Sequence, residues 1–325
     1  MNPECTTSET NYPIMDRSQF IKKSLLVTSA IVGNQVLGNT TATASIPISS
    51  PNPSPTFNLK YAPHQGQFEN HAGKSFLDQI RFAYDQGFRG IEDNGYSKRS
   101  KDEQTQIGEL LAQLNMEMGV FVLEKGGNGA NTLAAGILDH VDIFFKGCKE
   151  AVELAKRSGG KYTTVVPGDF HRRLPLDMQT ANVIEALKRG TEILEPHGII
   201  MVLEPLSDTP DLFLRTSTQT YLICKAVNSP SCKILYDAYH LQRNEGDLIN
   251  NIDRCWDEIA YFQVGDNPGR REPTTGEINY LNLFRHLFQK GYRGIVGMEH
   301  GKSTPGIEGE LKLIEAYRRV DNFLD

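Results

Sequence analysis

Tyr261-Phe262-Gln263-Val264-Gly265-Asp266-Asn267-Pro268-Gly269-Arg270-Arg271-Glu272-Pro273-Thr274-Thr275-Gly276-Glu277-Ile278-Asn279-Tyr280 opens as the end of a short strand, Ile259 to Val264, and then breaks into a polar loop. Pro268, Pro273, Gly269 and Gly276, with the adjacent Arg270 and Arg271, make it too broken for a helix and too charged for a core. A loop of this length costs ordering entropy and usually has something to bind. Taken alone, Gln263 reads equally well as a capping amide and Arg270 as a solvated charge. The strand ends around them weigh against that bland reading.

Three other expected strands end in a hard oxygen ligand: Ile199 to Leu203 at Glu204, Lys233 to Tyr236 at Asp237, and Gly294 to Met298 at Glu299. The separations are 33 residues (204 to 237), 26 (237 to 263) and 36 (263 to 299), each about one strand-loop-helix-loop unit. A (β/α)8 TIM barrel brings Glu204, Asp237, Gln263 and Glu299 to one rim, where such barrels carry their chemistry. An apolar strand ending in a carboxylate is common as a helix cap, so no single position is diagnostic; four in successive units are harder to dismiss. Three converging carboxylates repel one another unless a cation or proton neutralises them. Oxygen ligands without His or Cys among the four favour Mg²⁺ or Mn²⁺ over Zn²⁺.

The residues then carry a family resemblance. Asp237-Ala238-Tyr239-His240-Leu241-Gln242-Arg243-Asn244-Glu245-Gly246-Asp247, the loop from Gln263 with its Gly276-Glu277-Ile278-Asn279-Tyr280 ending, Leu203-Glu204-Pro205-Leu206 and Val296-Gly297-Met298-Glu299 together resemble the hydroxypyruvate isomerase family of the xylose-isomerase-like TIM barrels. The resemblance spans roughly residues 58 to 325 and is dense from 199 to 300. It implies a metal-dependent isomerase acting through an enediolate, with Glu204 and Glu299 as paired acid and base and also as metal ligands beside Asp237 and Gln263. His240 and Arg270 are implied as substrate contacts. Hydroxypyruvate to tartronate semialdehyde is the reaction implied first. A ketose 3-epimerase or other sugar isomerase is the alternative, although the epimerases typically carry His where Gln263 stands. A sugar-binding barrel that kept the metal site without turnover is the reading from another class.

Outward from this region, 325 residues with 39% hydrophobic content suffice for one large core, so a single barrel over residues 56–325 and a leader over 1–55 account for the chain. The expected strands start near 58, 88, 117, 162, 199, 233, 259 and 294, and eight is a closing number. Helices are expected over 75–86, 102–114, 141–158, 176–195, 217–227, 281–289 and 308–323. A net charge of −6 argues against nucleic acid and for a small-molecule hydroxy-carbonyl or sugar substrate. A homo-oligomer stays open.

In the leader, Arg17, Lys22 and Lys23 precede the apolar run Leu25 to Gly33, and Ala42-Thr43-Ala44 follows. That order is the one of an export signal, too short to span a bilayer, and leads to a periplasmic expectation with a cytoplasmic alternative. Asp16-Arg17-Ser18-Gln19-Phe20-Ile21-Lys22 also resembles a twin-arginine signal but carries Asp16 where the first Arg should stand, so the expected route is Sec or an atypical Tat-like one. Cys148, Cys224, Cys232 and Cys255 lack metal spacing and read as buried thiols. In the first four units, His64 and Glu92 end strands one and two, Lys125 lies in a Gly-rich turn after strand three, and Pro167 to Arg173, with His171, reads equally as a source of cations for an anionic substrate and as a solvated loop. The roles of His64, Lys125, His171 and His300 stay open from sequence.

Overall fold

The computed structural model describes residues 54–126 and 132–324. The leader expectations, residues 1–53, lie outside the described residues, as does most of the Gly-rich turn after Lys125. Nine strands are present among the described residues: β1 (Lys60–Ala62), β2 (Gly90–Ile91), β3 (Glu117–Met118), β4 (Phe121–Val122), β5 (Tyr162–Val165), β6 (Ile200–Leu203), β7 (Cys232–Asp237), β8 (Ile259–Gln263) and β9 (Ile295–Gly297). All neighbours run parallel. Seven strands form one sheet in the order β1-β9-β8-β7-β6-β5-β4, and β2 pairs with β3. A parallel bridge between His64 and Glu92 joins the ends of β1 and β2 and closes the ring.

The eight expected staves are therefore all found, but the third is split. Its first half pairs with β2 and its second with β5. The break falls at Gly119, where an added Cβ would lie 2.3 Å from the Tyr261 hydroxyl and 2.8 Å from Glu92 Cγ. Only glycine lets the stave pass this close to the barrel axis.

Ten α-helices are described: α1 (Glu69–Ala72), α2 (Phe76–Asp85), α3 (Lys101–Leu114), α4 (Leu138–Ser158), α5 (Leu176–Leu194), α6 (Ser217–Val227), α7 (Ala238–Asn244), α8 (Leu248–Cys255), α9 (Tyr280–Gln289) and α10 (Gly306–Asp321). Seven match the expected helices within about three residues, as end fraying leads one to expect. Side-chain caps set the starts of α2, α3, α6 and α9, where Ser75, Ser100, Thr216 and Asn279 each accept a backbone N–H three residues on. Each such cap contributes about 1 kcal/mol. The short helices α1, α7 and α8 were not read from sequence. Gly246 and Asp247, both at positive φ, break α7 from α8 before a 3.6-residue period can accumulate.

The core has two layers. Inside the ring, Ala62, Val120, Tyr162, Val202, Leu235, Tyr261 and Ile295 pack together, with Tyr162 and Tyr261 edge to face at 5.2 Å. Outside it, the helices bury their apolar stripes against the staves, as α2 does with Phe76, Ile80 and Ala83 at i, i+4 and i+7. This filled plug closes the lower barrel and leaves the strand C-termini as the open end. The four described cysteines are buried and free.

Candidate active site

Strand register brings the four oxygen ligands expected from sequence to one rim. Asp237 pairs with Gln263 across β7 and β8, and Gln263 pairs with Gly297 across β8 and β9. Glu299 lies two residues past Gly297 and Glu204 directly past β6, its N–H donating to Val165 O at 3.2 Å. Glu204, Asp237, His240 and Glu299 each present a ligand atom within 4.8 Å of the others.

Local folding aims these groups. Asp237 caps α7: Oδ1 accepts from Tyr239 N at 2.7 Å and His240 N at 3.4 Å. Its Oδ2 is buried without a hydrogen-bond partner. Gln263 Nε2 donates to Glu92 Oε1 at 3.1 Å, and its Oε1 is likewise left without a partner. Glu92, wholly buried, also accepts from the Tyr261 hydroxyl at 2.7 Å and contacts His64 Nε2. It thus fixes which end of the Gln263 amide faces the cluster. Orphaned buried oxygens are costly without a partner. Asp237 Oδ2, Gln263 Oε1 and the two glutamates form a donor set that suits a hard divalent cation.

His240 sits inside the same cluster but is arranged differently. Its Nδ1 accepts from Ser207 N at 3.2 Å and lies 2.8 Å from Ser207 Oγ. Burial pulls its pKa down, so the ring is neutral and its proton resides on Nε2. Nε2 is 3.7 Å from Asp237 Oδ2 and 4.0 Å from Glu204 Oε1. Such an N–H is suited to donate to a bound oxygen.

Arg270 adopts a left-handed backbone (φ 48°) that turns its side chain inward. Nη2 donates to Glu299 Oε2 at 2.9 Å and lies 3.8 Å from Asp237 Oδ2, with the guanidinium over the Tyr239 ring. The polar loop carrying it is firmly held. Buried Asp266 accepts from Gly276 N at 2.8 Å and Ile278 N at 3.1 Å, and buried Glu272 accepts from Ser303 N at 2.8 Å.

Crowded and desolvated, the carboxylates resist ionisation. Burial, then Glu299 and Asp237, push Glu204 well up; burial raises Glu299 to about 7 while Arg270 pulls it back. Asn94 Nδ2 donates to Glu299 Oε1 at 3.0 Å. Asn94 escaped the sequence reading, although the polar run Glu92-Asp93-Asn94 at the end of the second stave was its signal.

Two adjoining cavities open over the cluster, sharing Asn94, Arg270 and Glu299. The inner one, about 180 Å³, also reaches Lys125, Thr164, Glu204, His240 and Gln263. The outer one, about 480 Å³, is walled by His64, Gln65, His300 and Lys302. His300 is held between Tyr317 Oη (2.7 Å) and Gly301 O (2.8 Å), and burial lowers it to about 4, so it is a neutral wall. The cationic role considered for Pro167 to Arg173 is not supported. Arg172 is largely exposed and paired with Asp211 at 2.6 Å, and His171 lines neither cavity.

The chain belongs to the xylose isomerase-like TIM barrel family, whose model matches residues 80–319. It is similar to hydroxypyruvate isomerase of Escherichia coli K12, 30% identical over 75% of this chain and 94% of that protein. It is also similar to 2-oxo-tetronate isomerase of Cupriavidus necator, 27% identical over 77% of this chain and 95% of the other. Among solved structures, one from Brucella melitensis described as an AP endonuclease of family 2 aligns with a TM-score of 0.68 and 26% identity, over 77% of this chain and 96% of its own.

Proposed function

We propose that this isomerase interconverts an α-hydroxy aldehyde and an α-hydroxy ketone through an enediolate, with hydroxypyruvate and tartronate semialdehyde as the leading pair. The observation that carries the reading is the pair of buried oxygens without a hydrogen-bond partner, Asp237 Oδ2 and Gln263 Oε1, on neighbouring strands at the rim that carries Glu204 and Glu299. Glu204, Asp237, Gln263 and Glu299 would hold a divalent cation, Mg²⁺ or Mn²⁺, which acidifies the C–H beside a coordinated carbonyl.

The chain's own residues supply the rest. Glu299, ion-paired to Arg270, has the environment of a carboxylate base. Glu204, with burial and two neighbouring carboxylates raising it, has the environment of the acid that returns the proton. His240 Nε2–H donates to a substrate oxygen, and Arg270 keeps Glu299 oriented. Isomerisation needs one proton moved between adjacent carbons, and two facing carboxyl groups match that need.

A second reading, a ketose 3-epimerase, is favoured by the outer cavity of about 480 Å³, which leaves room for a longer carbon chain. Proton NMR in D₂O on the Mn²⁺-loaded or Mg²⁺-loaded chain separates the readings. Metal-dependent deuterium entry into hydroxypyruvate, abolished by Glu299→Gln, is the expected result. Exchange into ketoses only would move the assignment to epimerisation, and no exchange with metal bound would refute enediolate chemistry.

The proposal includes export, supported by the basic, apolar and Ala42-Thr43-Ala44 order of the leader. N-terminal sequencing of the mature chain should begin near residue 45; an intact Met1 would refute it.

A further inference from the structure

Two residues of the inner cavity are not used by the chemistry above. Lys125 follows β4 and is 4% exposed; Thr164 lies on β5 and is 5% exposed. Their staves are neighbours, with Val122 opposite Thr164 and Leu123 N donating to Thr164 O at 3.1 Å. Both residues line the cavity of about 180 Å³ with Glu204, His240 and Glu299. Thr164 Oγ1 is buried without a hydrogen-bond partner.

We propose that Lys125 and Thr164 form the seat for the carboxylate of an acyclic hydroxy-keto acid, with its reacting carbons between Glu204 and Glu299. This deepens the isomerase reading and rests on it. An anion entering this cavity meets Glu204, Glu299 and Asp208, so it requires a cation of the protein on its own side. Arg270 lies on the β8–β9 side, beside Glu299. Lys125 brings positive charge to the opposite wall, and the Thr164 hydroxyl is a ready donor to an oxygen there. Burial lowers Lys125 to about 8 against the opposing pull of Glu124 and Asp169, so the ammonium form prevails at pH 7. A neutral ketose would gain little from a lysine desolvated in this wall. The seat therefore selects sugar acids over free sugars.

The test uses the metal-loaded full chain, with D-glycerate as an unreactive carboxylate probe and glycerol as its neutral counterpart. Isothermal titration should find glycerate binding that weakens about ten- to hundred-fold in Lys125→Met, is retained in Lys125→Arg, and weakens less in Thr164→Val. KM for hydroxypyruvate should rise in parallel, more than kcat falls. Thr164→Val also probes the seat if Lys125→Met does not fold. Absence of glycerate binding in the wild type, or Kd and KM within about two-fold in both Lys125→Met and Thr164→Val, overturns the seat even if deuterium exchange on hydroxypyruvate proceeds. Lys125-dependent glycerate binding without exchange into any hydroxy-keto compound upholds the seat and overturns the isomerase reading alone.

Discussion

Gly297→Ala would strike the support beneath the site. A methyl group at position 297 would lie 2.0 Å from Glu92 Oε1 and 2.3 Å from its Cδ. β9 cannot retreat, because Gly297 is paired with Ala62 on one side and Gln263 on the other. Glu92 must move instead and give up the Tyr261 hydroxyl at 2.7 Å and Gln263 Nε2 at 3.1 Å. Overpacking costs about 1–3 kcal/mol and disrupted hydrogen bonds to a buried charge about 1.5–3 kcal/mol, so roughly 3–5 kcal/mol in all. At about 2–4 °C per kcal/mol, Tm should fall by roughly 6–20 °C in calorimetry. Freed from Glu92, the Gln263 amide is no longer aimed, and metal affinity should fall about 10- to 100-fold. Glu92→Ala makes room for the methyl, so the double variant should cost clearly less than the sum of the two single changes. Strict additivity, or a Gly297→Ala cost below about 1 kcal/mol, would refute the account.

Other expectations are open to equally direct checks. In the metal-free chain the folded state raises Glu299 from its usual 4.5 to about 7 and moves Glu204 upward as well, so it binds more protons than the unfolded chain. Stability from these groups is full below pH 4.5 and is lost as pH rises through about 7; for Glu299 the loss is on the order of 3 kcal/mol. Added Mn²⁺ should thus raise Tm more at pH 8 than at pH 5, and equal shifts would sink the argument. His240→Asn should lower kcat/KM about 10²- to 10³-fold while leaving Mn²⁺ affinity within a few-fold; loss of the metal would make His240 a ligand instead. Arg270→Lys keeps the charge but not the planar fork on Glu299, and kcat/KM should fall about ten-fold or more in steady-state assays. Wild-type values in that variant would remove Arg270 from the orientation of Glu299.

The amino-acid sequence by itself determined the alternation of staves and helices, because hydrophobic period and Gly or Ser/Thr punctuation are local properties. It also marked Glu204, Asp237, Gln263 and Glu299, because a parallel barrel turns a regular spacing of strand ends into one rim. It did not determine which oxygen of each side chain faces inward. That was decided by contacts far apart in sequence: Glu92 holding the Gln263 amide, Ser207 holding His240 Nδ1, and Arg270 turned onto Glu299. The split third stave and the buried setting of Lys125 and Thr164 were likewise beyond sequence reading. They depend on how closely neighbouring staves approach the barrel axis, and only the closed ring sets that distance.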